Sequence, residues 1–173
     1  MTPFEIAGVL VSCLDAAYED DAGKPAEICH RPGSEVRLDF GTAEDECCAG
    51  LGWVRIIEIA PVVDPDEAQN AGYNPCDTTG RRLTLELGVA RCQPFGTAAK
   101  GPSCEDWTTL AARIDTDAAR MRQAVCCTDT ALVTDNSTVY RILPGTWTPL
   151  DSSGGCTGGT LTVTVWLDCD EGC

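Results

Sequence analysis

Residues 35–40 read Glu-Val-Arg-Leu-Asp-Phe, and Leu83, Leu85, Leu87 and Val89 fall at every second position. Only an extended strand sends successive side chains to opposite faces, so apolar residues with a period of two demand a sheet with one buried face. Val36, Leu38 and Phe40 are expected to point inward with the charges outward, and Gly41 to turn the chain. A second strand is expected from Trp53 to Val63, where Val54, Ile56, Ile57 and Ile59 form a nearly continuous apolar run. Such a run suits burial on both faces and a place at the centre of the sheet. Further strands near Tyr140 to Trp147 and Leu161 to Leu167 complete about five. The Gly-rich stretch at 151–159 joins the last two as a hairpin loop.

A sheet with one apolar face needs a cover, and two segments have the pattern to supply it. Thr2-Pro3-Phe4-Glu5 is a helix start. Thr2 can cap, Pro3 loses only an N–H that has no partner in the first turn, and Glu5 can reach back in a capping box. From Pro3 to about Tyr18, Ile6, Leu10, Cys13, Leu14 and Ala17 recur at spacings of three and four, which makes one apolar stripe. Ser103-Cys104-Glu105-Asp106 opens the second helix with a cap and acids set against the helix dipole. Its expected buried stripe is Trp107, Leu110, Ile114, Ala118, Met121 and Val125. Its solvated side carries Arg113, Asp117, Arg120 and Arg122, with Arg113 and Asp117 placed to pair across one turn.

The order helix, three strands, helix, two strands predicts an α+β fold, with a single antiparallel or mixed sheet of about five strands and two main helices on one face. Residues 1–173 read as one domain. The segment 64–80 holds Pro65, Gly72, Asn74-Pro75 and Gly80 and reads as a long excursion. At 173 residues, 43% of them hydrophobic and 23% charged, the chain can bury a core without metal or disulfide staples.

Charge narrows the partners. The formal net charge is −15, with 16 acidic and 4 basic residues in 1–80 against 11 and 8 in 81–173. Phosphate backbones are repelled by such a surface, which argues against sequence-specific nucleic-acid binding. The first eighteen residues lack a basic flank and do not read as a secretory signal, and no apolar run reaches membrane-spanning length, so no membrane partner is expected. Twelve cysteines pull the other way, toward an oxidising setting. A protein made in the cytoplasm and later released inside a particle satisfies both signals.

Catalytic chemistry has little to stand on. The chain has one histidine, His30, and no nucleophile elbow. The glycines around Gly154 and Gly155 lack the lysine and the strand-to-helix setting of a phosphate loop. Asp-Pro-Asp-Glu at 64–67 lacks the full spacing of a calcium loop. Cys29-His30 and Cys47-Cys48 flank the first expected strand and form the best zinc candidate, yet no Cys-x-x-Cys is present. The vicinal pairs Cys47-Cys48 and Cys126-Cys127 more readily send each thiol to a different partner. No catalytic residue, cofactor or metal is therefore expected. The chain reads as one that works by binding other proteins, with a cysteine-rich metal or redox binding domain as the alternative.

The final third carries a resemblance. Met121-Arg-Gln-Ala-Val125, Tyr140-Arg-Ile-Leu-Pro-Gly-Thr-Trp-Thr-Pro149, Gly154-Gly-Cys-Thr-Gly-Gly159 and Leu161-Thr-Val-Thr-Val-Trp166, in this order of elements, resemble the tail terminator proteins of actinobacterial tailed phages. The resemblance implies a homo-oligomeric ring, commonly a hexamer. Such a ring ends the tail tube and meets both the tube protein and the neck or connector protein at the head–tail junction of the virion. It is assembled in the host cytoplasm, and DNA passes through it without sequence-specific binding. A stopper or adaptor of the same neck is the neighbouring reading. Contacts are expected from sheet edges and the excursion, at Asp64, Asp66, Glu67 and Tyr73, and from Gly154 and Gly155 in the hairpin loop. The bore-facing carboxylates are expected to be Asp64, Asp66 and Glu67, with Glu19, Asp20 and Asp21 as the second choice. Cys92 and Cys104, at a strand end and the next helix start, are the expected disulfide.

Overall fold

The computed structural model of the protein describes residues 1–36, 38, 49–62, 80–96, 100–133, 139–151 and 155–168. In chain order these form α1 (Pro3–Ala17), β1 (Glu27–His30), β2 (Leu51–Val62), β3 (Gly80–Cys92), α2 (Cys104–Val133), β4 (Val139–Pro149) and β5 (Cys156–Asp168). The architecture is α+β, a five-stranded mixed sheet in the order β1-β2-β3-β5-β4 with two helices. Only β1 runs parallel to its neighbour; the other three pairings are antiparallel.

Both helices start as their sequences dictate. The Thr2 hydroxyl accepts from the Glu5 amide at 3.2 Å, and the Glu5 carboxylate accepts from the Thr2 amide at 2.6 Å. At α2, Ser103 Oγ accepts from the Asp106 amide while Asp106 accepts from the Ser103 amide and hydroxyl. Each reciprocal pair satisfies backbone donors that the first turn leaves over.

The alternation in β3 places Leu83, Leu85, Leu87 and Val89 on one face, in one core with Leu161, Val163, Val165 and Leu167 of β5 and the buried stripes of α1 and α2. Arg82, Thr84, Glu86 and Gly88 of β3 and Thr160, Thr162, Thr164 and Trp166 of β5 take the opposite, helix-free face. A smaller apolar cluster there gathers Leu51, Trp53, Ala90 and Cys156, with Val36, Leu38 and Leu150 against it. Gly88 faces Trp53 in register, and the indole lies where a Cβ would stand. Any side chain at position 88 would displace the ring.

Three sequence expectations need correction. The first strand is Glu27–His30, while Glu35, Val36 and Leu38 lie outside any strand; residues 37, 39 and 40 fall outside the described ones. The short mixed run Glu-Ile-Cys-His carries no periodicity to read. The sheet's centre is β3 rather than β2, and β2 is buried only over Leu51–Val54, with Ile57 and Ile59 about half exposed. In α2 the buried residues begin at Asp117 and continue with Met121, Ala124, Val125, Thr128 and Leu132. Trp107 is 45% exposed and Leu110 and Ile114 are half-buried, since burial in α2 begins where Asp117 meets Arg91 of the sheet; Ala118, just past it, is half-buried too. The expected excursion, apart from Gly80 which opens β3, lies outside the described residues.

Candidate functional site

Two polar clusters stand out, one on each face of the sheet. On the helix side, Arg91 continues the phase of Leu83 to Val89 and so points into the helix layer, where it is 9% exposed. It meets Asp117 of α2 in a two-pronged bond, Nε to Oδ2 at 2.9 Å and Nη2 to Oδ1 at 2.7 Å. The Tyr18 hydroxyl, just past α1, donates to Asp117 Oδ1 at 2.9 Å. Arg113, one turn before Asp117, comes within 3.4 Å of the same oxygen and donates to Asp21 Oδ1 at 2.7 Å and to the Gly23 carbonyl. Asp117 is therefore the hub that ties α1, α2 and β3 together.

The Arg113–Asp117 pairing expected from spacing is present, but Asp117 is buried rather than solvated. Asp21 is likewise turned inward, and the Arg113 and Gly23 hydrogen bonds hold its carboxyl below the usual range. It cannot project into a bore as the second-choice expectation required; Glu19 and Asp20 are exposed.

Burial, and then the charge and hydrogen bond of Asp117, hold the Tyr18 phenol far above its ordinary value. An ordinary tyrosine ionises near pH 10. A raised value in the folded state means that this contribution to stability is intact below about pH 10 and is lost as pH rises beyond it. Of the three tyrosines, Tyr18 should ionise only as the fold gives way in alkali. A tyrosinate absorbance titration checks this, with Tyr18→Phe expected to remove the late step. Three ionisations near pH 10 with the fold intact would contradict it.

On the helix-free face, Arg55 and Glu86 are paired in register and Trp53 stands two residues before Arg55. Glu86 Oε1 accepts from Trp53 Nε1 at 3.0 Å and from Arg55 Nε at 2.6 Å, and Oε2 accepts from Arg55 Nη2 at 2.9 Å. Arg55 also donates to the carbonyls of Gly33 and Ser34, fastening the chain after β1 across the sheet. Burial pushes the Glu86 carboxyl up, yet the Arg55 and Trp53 hydrogen bonds and the Arg55 charge outweigh it and leave it below the usual range. A carboxylate so held stays ionised at neutral pH and is a poor proton donor.

Beside this cluster lies an open groove of about 480 Å³, walled by Val36, Leu38, Pro149 and Leu150, with Glu35 and Asp151 among its acids and Thr148 and Thr160 among its hydroxyls. Thr148 and Thr160 share a hydrogen bond of 3.1 Å. In this groove Arg55 is bonded to Glu86 and Thr148 to Thr160, so these groups already satisfy one another.

Of the contact residues named from sequence, Asp64, Asp66, Glu67, Tyr73 and Gly154 lie outside the described residues. Gly155 sits at the mouth of the β4–β5 hairpin with φ +78°, a left-handed conformation that glycine adopts without strain, and its carbonyl accepts from the Gln93 amide at 2.8 Å. Cys104 is a free, exposed thiol while Cys92 is disulfide-bonded, so the expected Cys92–Cys104 bridge is not formed. Cys104, the first residue of α2, is exposed. The bridge that sequence reasoning missed is Cys13–Cys127, which joins α1 to α2 with Cα atoms 5.7 Å apart.

Cys29 and His30 lie on β1, with His30 against the Phe4 ring at 5.4 Å. Their suggested partners Cys47 and Cys48 lie outside the described residues, among which no three metal-binding side chains converge. No described helix is long and apolar enough to cross a membrane. No protein-family model and no curated protein matches this chain.

Proposed function

We propose that the chain is a structural virion protein that assembles into a ring at the end of a phage tail tube and joins it to the head–tail connector. The observation that carries the reading is the resemblance over residues 121–166, which fall in one contiguous unit: the second half of α2 followed by the β4–β5 hairpin. The state of the charged groups supports it. Asp117, Arg91, Asp21, Arg113, Glu86 and Arg55 are spent on one another, fixing helices to sheet and chain to sheet, as a scaffold requires. The net charge of −15 fits a wall past which DNA must slide without sticking.

Native mass spectrometry of the purified chain tests the reading. The expected result is a closed oligomer, a multiple of 18.3 kDa and most simply six copies, that binds the tube protein of the same particle. A chain that stays monomeric at all concentrations and ignores the tube protein would overturn it.

A further inference from the structure

The helix layer and the sheet are displaced along the strands. At one end α2 outruns the sheet: nothing in it before Asp117 is buried, and thirteen residues of helix extend about 20 Å from that level. This overhang carries Trp107, 45% exposed, with Leu110 and Ile114 at helical spacing beside it, a stripe with the anchor pattern of a helix that lies in a partner's groove. At the other end β2 outruns α1. Ile59 shares the helix-side face with Leu83 yet is 50% exposed, Ile57 is 48% exposed, and Phe4 at the start of α1 is 69% exposed.

The two bare regions also differ in charge. Glu105 and Asp106 precede Trp107 on the overhang and are exposed. Arg81 and Arg82 stand beside the bare end of β2, in register with Pro61 and Ala60. Arg82 meets Glu58 at 3.2 Å, and Arg81 has no ion pair among the described residues. One end therefore offers an apolar stripe with acids, the other an apolar patch with Arg81 on the same face as Ile59, Arg82 lying on the helix-free face with Glu58.

From this complementarity we infer that the occupant of the bare sheet end is the α2 overhang of a second copy of the chain, in a head-to-tail contact. Two different surfaces of one chain that fit each other repeat from copy to copy and close a ring when the rotation allows. The inference rests on the ring reading and names the surfaces that would build it.

The test compares oligomer formation by native mass spectrometry and sedimentation for the full chain and variants whose folding is checked by circular dichroism. Trp107→Ser should weaken association about thirtyfold, as loss of a central aromatic anchor does. Glu105→Arg and Arg81→Glu should each weaken it about tenfold by setting like charges together. An equimolar mixture of those two single variants should recover assembly, because every contact then pairs opposite charges, and so should the double variant. An assembled wild type with all variants equally assembled would overturn this contact and leave the ring reading standing. A wild type that never assembles would overturn both.

Discussion

Asp117→Ala should be the most damaging single substitution in the described part of the chain, costing about 3–5 kcal/mol, the usual penalty for removing one partner of a buried ion pair. The carboxylate is 3% exposed and accepts from Arg91 twice and from Tyr18 once. Its loss strands a guanidinium that is itself only 11% exposed and leaves a buried hydroxyl without an acceptor. For a domain of this size the melting temperature should fall by roughly 6–20 °C. Asp117→Asn keeps the shape and one acceptor oxygen, so it should fall between the wild type and the alanine variant. Urea unfolding of the three proteins measures the effect, and an alanine variant within about 1 kcal/mol of the wild type would show that Asp117 is not the hub.

Removing the Cys13–Cys127 bridge should have an effect of similar size by a different route. The two residues are 114 apart in sequence. A loop of about that length, closed in the unfolded chain, is worth nearly 5 kcal/mol in the chain-entropy account, with about 2–4 kcal/mol typical in practice. Cys13 lies in the α1 stripe with 5% exposure, so Cys13→Ala also removes some packing. The Cys13→Ala/Cys127→Ala variant is the cleaner probe than reductant, because Cys92 and Cys156 are also disulfide-bonded. Its unfolding midpoint in the oxidised protein should drop well below that of the wild type; an unchanged midpoint would mean that the helices hold their mutual position without the bridge.

The features legible in the sequence are those set by neighbours along the chain. The Thr2–Glu5 and Ser103–Asp106 caps need only a three-residue spacing, and β3 announces itself through Leu83 to Val89. What was illegible depends on residues far apart. Asp117 has a normal position on a polar helix face; its burial is set by Arg91, 26 residues away, and Tyr18, 99 residues away. Arg91 did carry a signal, since it falls in phase with four buried apolar residues, where an arginine needs a partner. Trp107 shows the opposite failure. Its helical spacing with Leu110 and Ile114 is real, but periodicity does not say where the sheet beneath a helix ends. The disulfide pairing escaped for the same reason: Cys13 and Cys127 meet only through the packing of α1 on α2.

The strand order has a consequence for how the chain is made. β5, the last of these elements in the chain, is inserted between β3 and β4, and Gly80 of β3 waits for Asp168 as its partner. A ribosome adding about 5–20 residues per second needs roughly 4–18 s to cover those 88 positions. Throughout that interval the apolar face formed by Leu83, Leu85 and Leu87 lacks Val163, Val165 and Leu161 beside it, and the nascent β2–β3 ribbon has an open edge. The β2 half of that ribbon carries a register irregularity between Ile56 and Glu58 and a proline at position 61. Both guard the outer edge of β2, which β1 covers only over Leu51–Val54, whereas the β3 edge, with its unbroken register, stays open to a neighbouring nascent chain until β5 arrives.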